Sequence, residues 1–164
     1  MRALTAVQAA AIFGVVGSVL AVAIPGFVRN LSASKLSEPI DGLDRMVTNA
    51  IGYAETHPHE ISFPPSAPLT PAQVPRGVRA TDPPEVWEHL TWKSLQFGFT
   101  EAHAFAFQFT TDFDPNTQVF RFTATSHGDL DGDGMLSTFE VKGERLPGQS
   151  PKVLPGMFVD HEVE

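Results

Sequence analysis

Three hydrophobic patterns follow one another along the chain. From Ala3 to Val28 run 26 residues without a formal charge, and only Thr5, Gln8 and Ser18 among them are clearly polar. A helix needs about 20 apolar residues to cross a bilayer, so this run predicts a membrane segment. A second pattern follows Pro25. Leu43, Met46, Val47, Ala50, Ile51 and Ala54 recur at helical spacing, with Asp41, Asp44, Arg45, Thr48 and Asn49 between them. That is one apolar stripe on a helix. The third pattern has period two. Phe105, Phe107 and Phe109 alternate with Ala104, Ala106 and Gln108, and Phe120, Phe122 and Ala124 alternate with Arg121, Thr123 and Thr125. Asp114, Pro115 and Asn116 lie between, which predicts a hairpin closed by a five- or six-residue loop. Further strands are expected over Ser137–Lys142 and near Met157–Asp160.

The first two patterns predict one helix from near residue 4 to near residue 56. Pro25 and Pro39 interrupt it, each removing a backbone donor and crowding the preceding turn. Gly14, Gly17 and Gly26 weaken it further. A cleavable signal peptide competes with the membrane-segment reading, because Ala21-Val22-Ala23 has the small-x-small form of a cleavage site. Against it, apolar residues continue through Ile24, Phe27 and Val28.

Charge divides the chain in the same place. Residues 1–54 carry four basic residues (Arg2, Arg29, Lys35, Arg45) and three acids (Glu38, Asp41, Asp44), a net of +1. The whole chain stands at −8, so residues 55–164 carry −9. An acidic body argues against a nucleic-acid partner. Cysteine is absent, which excludes disulfides, thiolate metal sites and cysteine nucleophiles.

The run Leu4-Thr5-Ala6-Val7-Gln8, then Gly17, then Leu20-Ala21-Val22-Ala23-Ile24-Pro25, resembles the N-terminus of type IV pilins and of the pseudopilins of type II secretion. The resemblance covers residues 4–56 in detail. It implies an α+β, pilin-like fold, with a long N-terminal helix, apolar in its first half and amphipathic in its second, packed on a small antiparallel sheet. It also implies a subunit that sits in the inner membrane with its head outside the cytoplasm. The subunit would then assemble with copies of itself into an extracellular or periplasmic filament, served by pilus or secretion machinery. Gln8, Gly17 and Pro25 become the assembly residues. Gln8 stands where the family has a glutamate, so it can hydrogen-bond but cannot neutralise a neighbour's terminal amine. Only Met1-Arg2-Ala3 precede Leu4, so either a very short leader ends at Ala3 or the chain stays uncut. The alternative function is a secreted or membrane-tethered calcium-binding module that does not polymerise.

The organisation expected is therefore an apolar half-helix over 1–28, an amphipathic half-helix over 29–56, a Pro-rich region over 57–102 and a β head over 103–164. Eight of the 14 prolines lie between Pro58 and Pro84, a density that forbids long helices and central strands. Trp87, Leu90, Trp92 and Leu95 are expected to anchor this region to the sheet. His57 and His59 read as exposed loop residues.

The strongest chemical motif spans 129–140, Asp-Leu-Asp-Gly-Asp-Gly-Met-Leu-Ser-Thr-Phe-Glu. It matches the EF-hand calcium loop. Asp129, Asp131 and Asp133 stand at positions 1, 3 and 5. Gly134 takes the sharp turn at position 6. Met135 would offer its carbonyl, Ser137 a water-mediated contact and Glu140 two oxygens. Calcium (Ca2+) takes six to eight oxygens at about 2.3–2.6 Å, which this pattern supplies. The flanking residues are strand-like, so the loop is expected to join two strands and hold a structural ion. No phosphate-binding glycine loop and no Gly-x-Ser-x-Gly is present, and catalysis is not expected. His127 is expected to hydrogen-bond beside the acidic loop, and Glu85 and Glu88 define no pocket.

Overall fold

Helix α1 spans residues 36–56 in the computed structural model, which describes residues 36–162. Its stripe is buried as the spacing predicts: Leu43, Met46, Val47, Ala50 and Ala54 are inside and Ile51 is half-buried. The helix comes close to the sheet at Gly42. A Cβ there would lie 2.5 Å from the Phe107 ring, so only glycine allows this approach. The described helix runs through Pro39, which is buried.

Both ends of α1 are tied to the sheet region. Glu38 accepts from the Ala104 and Phe105 amides at 2.7 and 3.0 Å and pairs with Arg79. Arg145 Nη1 donates to the Ala54 and His57 carbonyls at 2.6 and 3.0 Å. Those carbonyls have no intrahelical partner, so the guanidinium caps them and also suits the negative end of the helix dipole.

The sheet is antiparallel and has six strands. Their bounds are β1 Ala67–Thr70, β2 Phe105–Asp114, β3 Val119–Gly128, β4 Ser137–Arg145, β5 Lys152–Val153 and β6 Phe158–Asp160. The order is β1-β2-β3-β4-β5, with β6 also pairing β4. Phe105, Phe107 and Phe109 are fully buried on one face of β2. The β2–β3 ladder runs without a break from Phe105↔Gly128 to Asp114↔Val119. The connection is thus shorter than expected, residues 115–118. The reason is Asp114, whose carboxylate accepts from the Asn116 amide at 2.9 Å and the Thr117 hydroxyl at 2.7 Å and closes the turn.

The expected long N-terminal helix packed on a small sheet is overturned. Among the described residues the helix covers 36–56, and the dominant element is a six-stranded sheet. Two strands, β1 and β5, were not expected from the sequence. Strand β1 lies inside the Pro-rich region and contains Pro68, which an edge strand tolerates. Strand β5 is too short to show alternation, and β4 extends three residues past its expected end. Residues 1–35, with Gln8, Gly17 and Pro25, lie outside the described residues. So does the Ala3–Val28 run. Among the described residues, no helix is long and apolar enough to cross a membrane.

The Pro-rich region is anchored by aromatics. Trp92 and Leu95 are buried and Trp87 nearly so, with Trp87 edge-on to Trp92, Phe97 and His103. Trp92 Nε1 donates to Thr70 Oγ1 at 3.0 Å, fixing the short helix α2 (Leu90–Ser94) to β1. Leu90, expected in this cluster, is exposed instead. It opens α2 on the side away from Thr91 and Trp92, which take the buried positions.

Candidate metal centre

Strands β3 and β4 close on the pair Gly128↔Ser137, so residues 129–136 form their connection. The chain folds sharply here because Gly132 and Gly134 have φ of +84° and +96°, a region closed to most side chains. Gly134 is the glycine expected at the turn; Gly132 is a second.

Each aspartate then braces the loop through one oxygen. Asp129 Oδ1 accepts from the Gly132 amide at 2.8 Å, Asp131 Oδ1 from Asp133 at 3.1 Å and Asp133 Oδ1 from Met135 at 2.7 Å. These bonds turn the three side chains toward one another. One carboxylate oxygen from each lies within 4.8 Å of those from the other two. Asp131 and Asp133 are exposed, whereas the Asp129 side chain is fully buried.

Asp129 carries the decisive detail. Its Oδ2 is buried and has no hydrogen-bond partner. A buried carboxylate oxygen without a donor is costly. The nearest basic group is Arg76, whose Nε lies 3.8 Å away, too far for a hydrogen bond, on a side chain that is 74% exposed. Three carboxylates with one oxygen each within 4.8 Å of the others, and a buried, orphaned oxygen on Asp129, suit a hard divalent cation such as calcium.

The other residues of the motif are placed differently. Met135 is exposed beside the triad. Ser137 is buried, and its hydroxyl donates to the Gly128 carbonyl at 3.2 Å. Glu140 stands in β4 opposite Thr125, and its Oε1 pairs with Lys142 Nζ at 2.9 Å. It is not part of the triad. In an EF-hand a helix follows the loop and returns the twelfth residue to the ion. Here a strand follows, advancing about 3.3 Å per residue, so Glu140 is carried about 10 Å beyond Ser137.

No pattern along the chain marks that the Pro-rich region reaches this loop. Gly77 donates its amide to the Asp129 carbonyl at 2.8 Å, and Arg76 forms a parallel bridge with Asp129. Gly77 has a φ of +65° and lies against the Asp131 carbonyl.

The histidines have structural partners. His127 Nδ1 lies 2.9 Å from Thr138 Oγ1; burial lowers its pKa below the usual histidine value, and the Glu140 charge partly opposes this. His57 stacks on Tyr53, and His59 Nε2 donates to the Gln118 carbonyl. His103 is buried between the Phe105 carbonyl at 2.8 Å and Asp82 at 2.9 Å. Glu88 pairs with Lys93. Comparisons with protein-family models, curated proteins and solved structures return no match.

Proposed function

We propose that the chain is a non-catalytic structural subunit whose β head is stabilised by calcium bound at the 129–136 loop. The head is carried on the apolar Ala3–Val28 segment. That segment holds the subunit in the inner membrane and then assembles it with copies of itself into a pilus-like or pseudopilus filament. The observation that supports this reading furthest is the buried Asp129 carboxylate, one oxygen of it orphaned, in a cluster of three carboxylates. The filament half of the reading rests on the Leu4–Pro25 run.

Asp129, Asp131 and Asp133 would hold the ion, with water completing its shell. The ion supplies positive charge that relieves the repulsion of three neighbouring carboxylates. With Glu140 elsewhere, the site has fewer protein ligands than a sensor loop. Its affinity then falls in the range of extracellular modules, about 10⁻⁴–10⁻³ M. Binding to the native state alone stabilises it by about 1.4–2.7 kcal/mol at 10 mM calcium on that range.

Thermal melts of the full chain in detergent test the ion. Calcium should raise the melting temperature by several degrees over EDTA, and Asp129→Ala should abolish the difference. Identical wild-type melts in calcium and EDTA overturn it. The intact mass of native protein in membrane and sheared surface fractions tests assembly. A chain that keeps Leu4–Val28 and appears in the sheared fraction supports the filament. A chain beginning after Ala23 supports the alternative, a calcium-binding module that does not polymerise.

A further inference from the structure

We infer that Arg76 is the resident counter-ion of the metal centre, and that cation binding there is an exchange in which the ion displaces the Arg76 guanidinium from Asp129. This rests on the reading of the 129–136 loop as a cation site, and adds what sets its threshold.

The argument starts from Asp129. Its side chain is fully buried, and Oδ1 is already committed to the Gly132 amide. Oδ2 is left with one basic neighbour, Arg76 Nε at 3.8 Å. That separation permits Coulomb attraction but no hydrogen bond. A guanidinium held this way partly balances the buried charge without satisfying the oxygen.

Arg76 is built to let go. Its backbone is fixed beside the loop by the parallel bridge to Asp129 and by the Gly77 amide on the Asp129 carbonyl. Its side chain is 74% exposed and makes no other ion pair among the described residues. The guanidinium can therefore move while the main chain stays. A cation at about 2.3–2.6 Å from Oδ2 would take the oxygen outright and repel the guanidinium beside it.

There is also somewhere for it to go. Arg76 lines a cleft of about 1000 Å³ bounded by the Pro71–Pro75 wall, Val78, Asp82 and Leu136. Exchange swings a positive charge toward that cleft. Binding at the loop is thereby coupled to the charge of the neighbouring surface, and displacing Arg76 lowers the apparent affinity for the ion.

The test uses the full chain in detergent with calcium chloride as the probe, in two measurements. Calorimetric titration compares wild type with Arg76→Gln and Arg79→Gln, which removes the same charge from an arginine engaged with Glu38. Arg76→Gln should tighten calcium binding about three- to tenfold, and Arg79→Gln by clearly less. Side-chain Nε resonances of ¹⁵N-arginine-labelled wild type should show Arg76 shifting on calcium saturation while Arg79 stays in place. Equal or weaker binding by Arg76→Gln, an equal gain in Arg79→Gln, or an unmoved Arg76 resonance overturns the exchange. A wild type that binds no calcium overturns the cation site itself, which separates the two failures.

Discussion

Phe105 lies across Gly128, its partner in the β2–β3 ladder, so closely that a Cβ on the glycine would sit 2.4 Å from the ring. The arrangement recurs one strand over, where Phe122 covers Gly143 and a Cβ would meet the ring at 2.2 Å. Large side chains thus fill the space that glycine leaves, and the rings interlock with the sheet rather than standing off it. Gly128→Ala should destabilise the protein by about 1–3 kcal/mol, because the Phe105 ring is fully buried and has no free space to retreat into. Urea denaturation with an unchanged m-value would show this as a lower midpoint. A variant as stable as wild type would mean that the ring shifts without cost.

Arg145 should matter through the end of α1 rather than through its charge. It satisfies the Ala54 and His57 carbonyls, and no apolar residue does so. Arg145→Ala should cost about 1–3 kcal/mol and speed amide hydrogen exchange over the last turn of α1. Protection unchanged over residues 52–56 would rule out the capping role.

The elements read most easily from the sequence are those that bury one face at a fixed period. Leu43, Met46, Val47, Ala50 and Ala54 announced α1, and the Phe105–Phe109 alternation announced β2, because burial imposes the period. The error lay in treating the sheet as minor; the reach of the helix back through Pro25 lies outside the described residues. Strand β1 stayed hidden because its partner is the neighbouring strand β2 across a long connection, not a local hairpin, and Pro68 argued against it. The candidate metal centre was half legible. The Asp-x-Asp-x-Asp-Gly spacing dictates its own local turns, so the triad could be read directly. The fate of Glu140 depends on the element that follows the loop. Arg76 depends on tertiary contact alone, and no local pattern marks it.

Asp114 makes the hairpin turn sensitive to acid. The Thr117 hydroxyl and then the Asn116 amide hold its pKa below the ordinary carboxylate value. A depressed folded-state pKa means that the unfolded chain binds the proton first as pH falls. The contribution is complete above the unfolded value of about 3.9 and is lost as pH drops through the lower folded value. Asp114→Ala should therefore melt at a lower temperature than wild type at pH 6, and the gap should close toward pH 2.5. A gap independent of pH would assign the effect to the turn's shape rather than to its charge.

The buried charge of Asp129 leads to a prediction with opposite signs in two solutions. Asp129→Asn keeps an oxygen for the Gly132 amide but removes the negative charge from a side chain that is fully buried. Without calcium, the wild type bears the cost of a carboxylate oxygen with no hydrogen bond, met only by Arg76 at 3.8 Å. The asparagine avoids that cost, so in EDTA the variant should melt at or above the wild-type temperature. With calcium, the wild type gains the binding free energy and the variant does not, so the order reverses. A crossing of the two melting temperatures between EDTA and 10 mM calcium is the signature of a charge kept for an ion. If the variant is less stable in both solutions by the same margin, the Asp129 charge serves the fold itself, through Arg76 and the Gly132 amide, and not an ion.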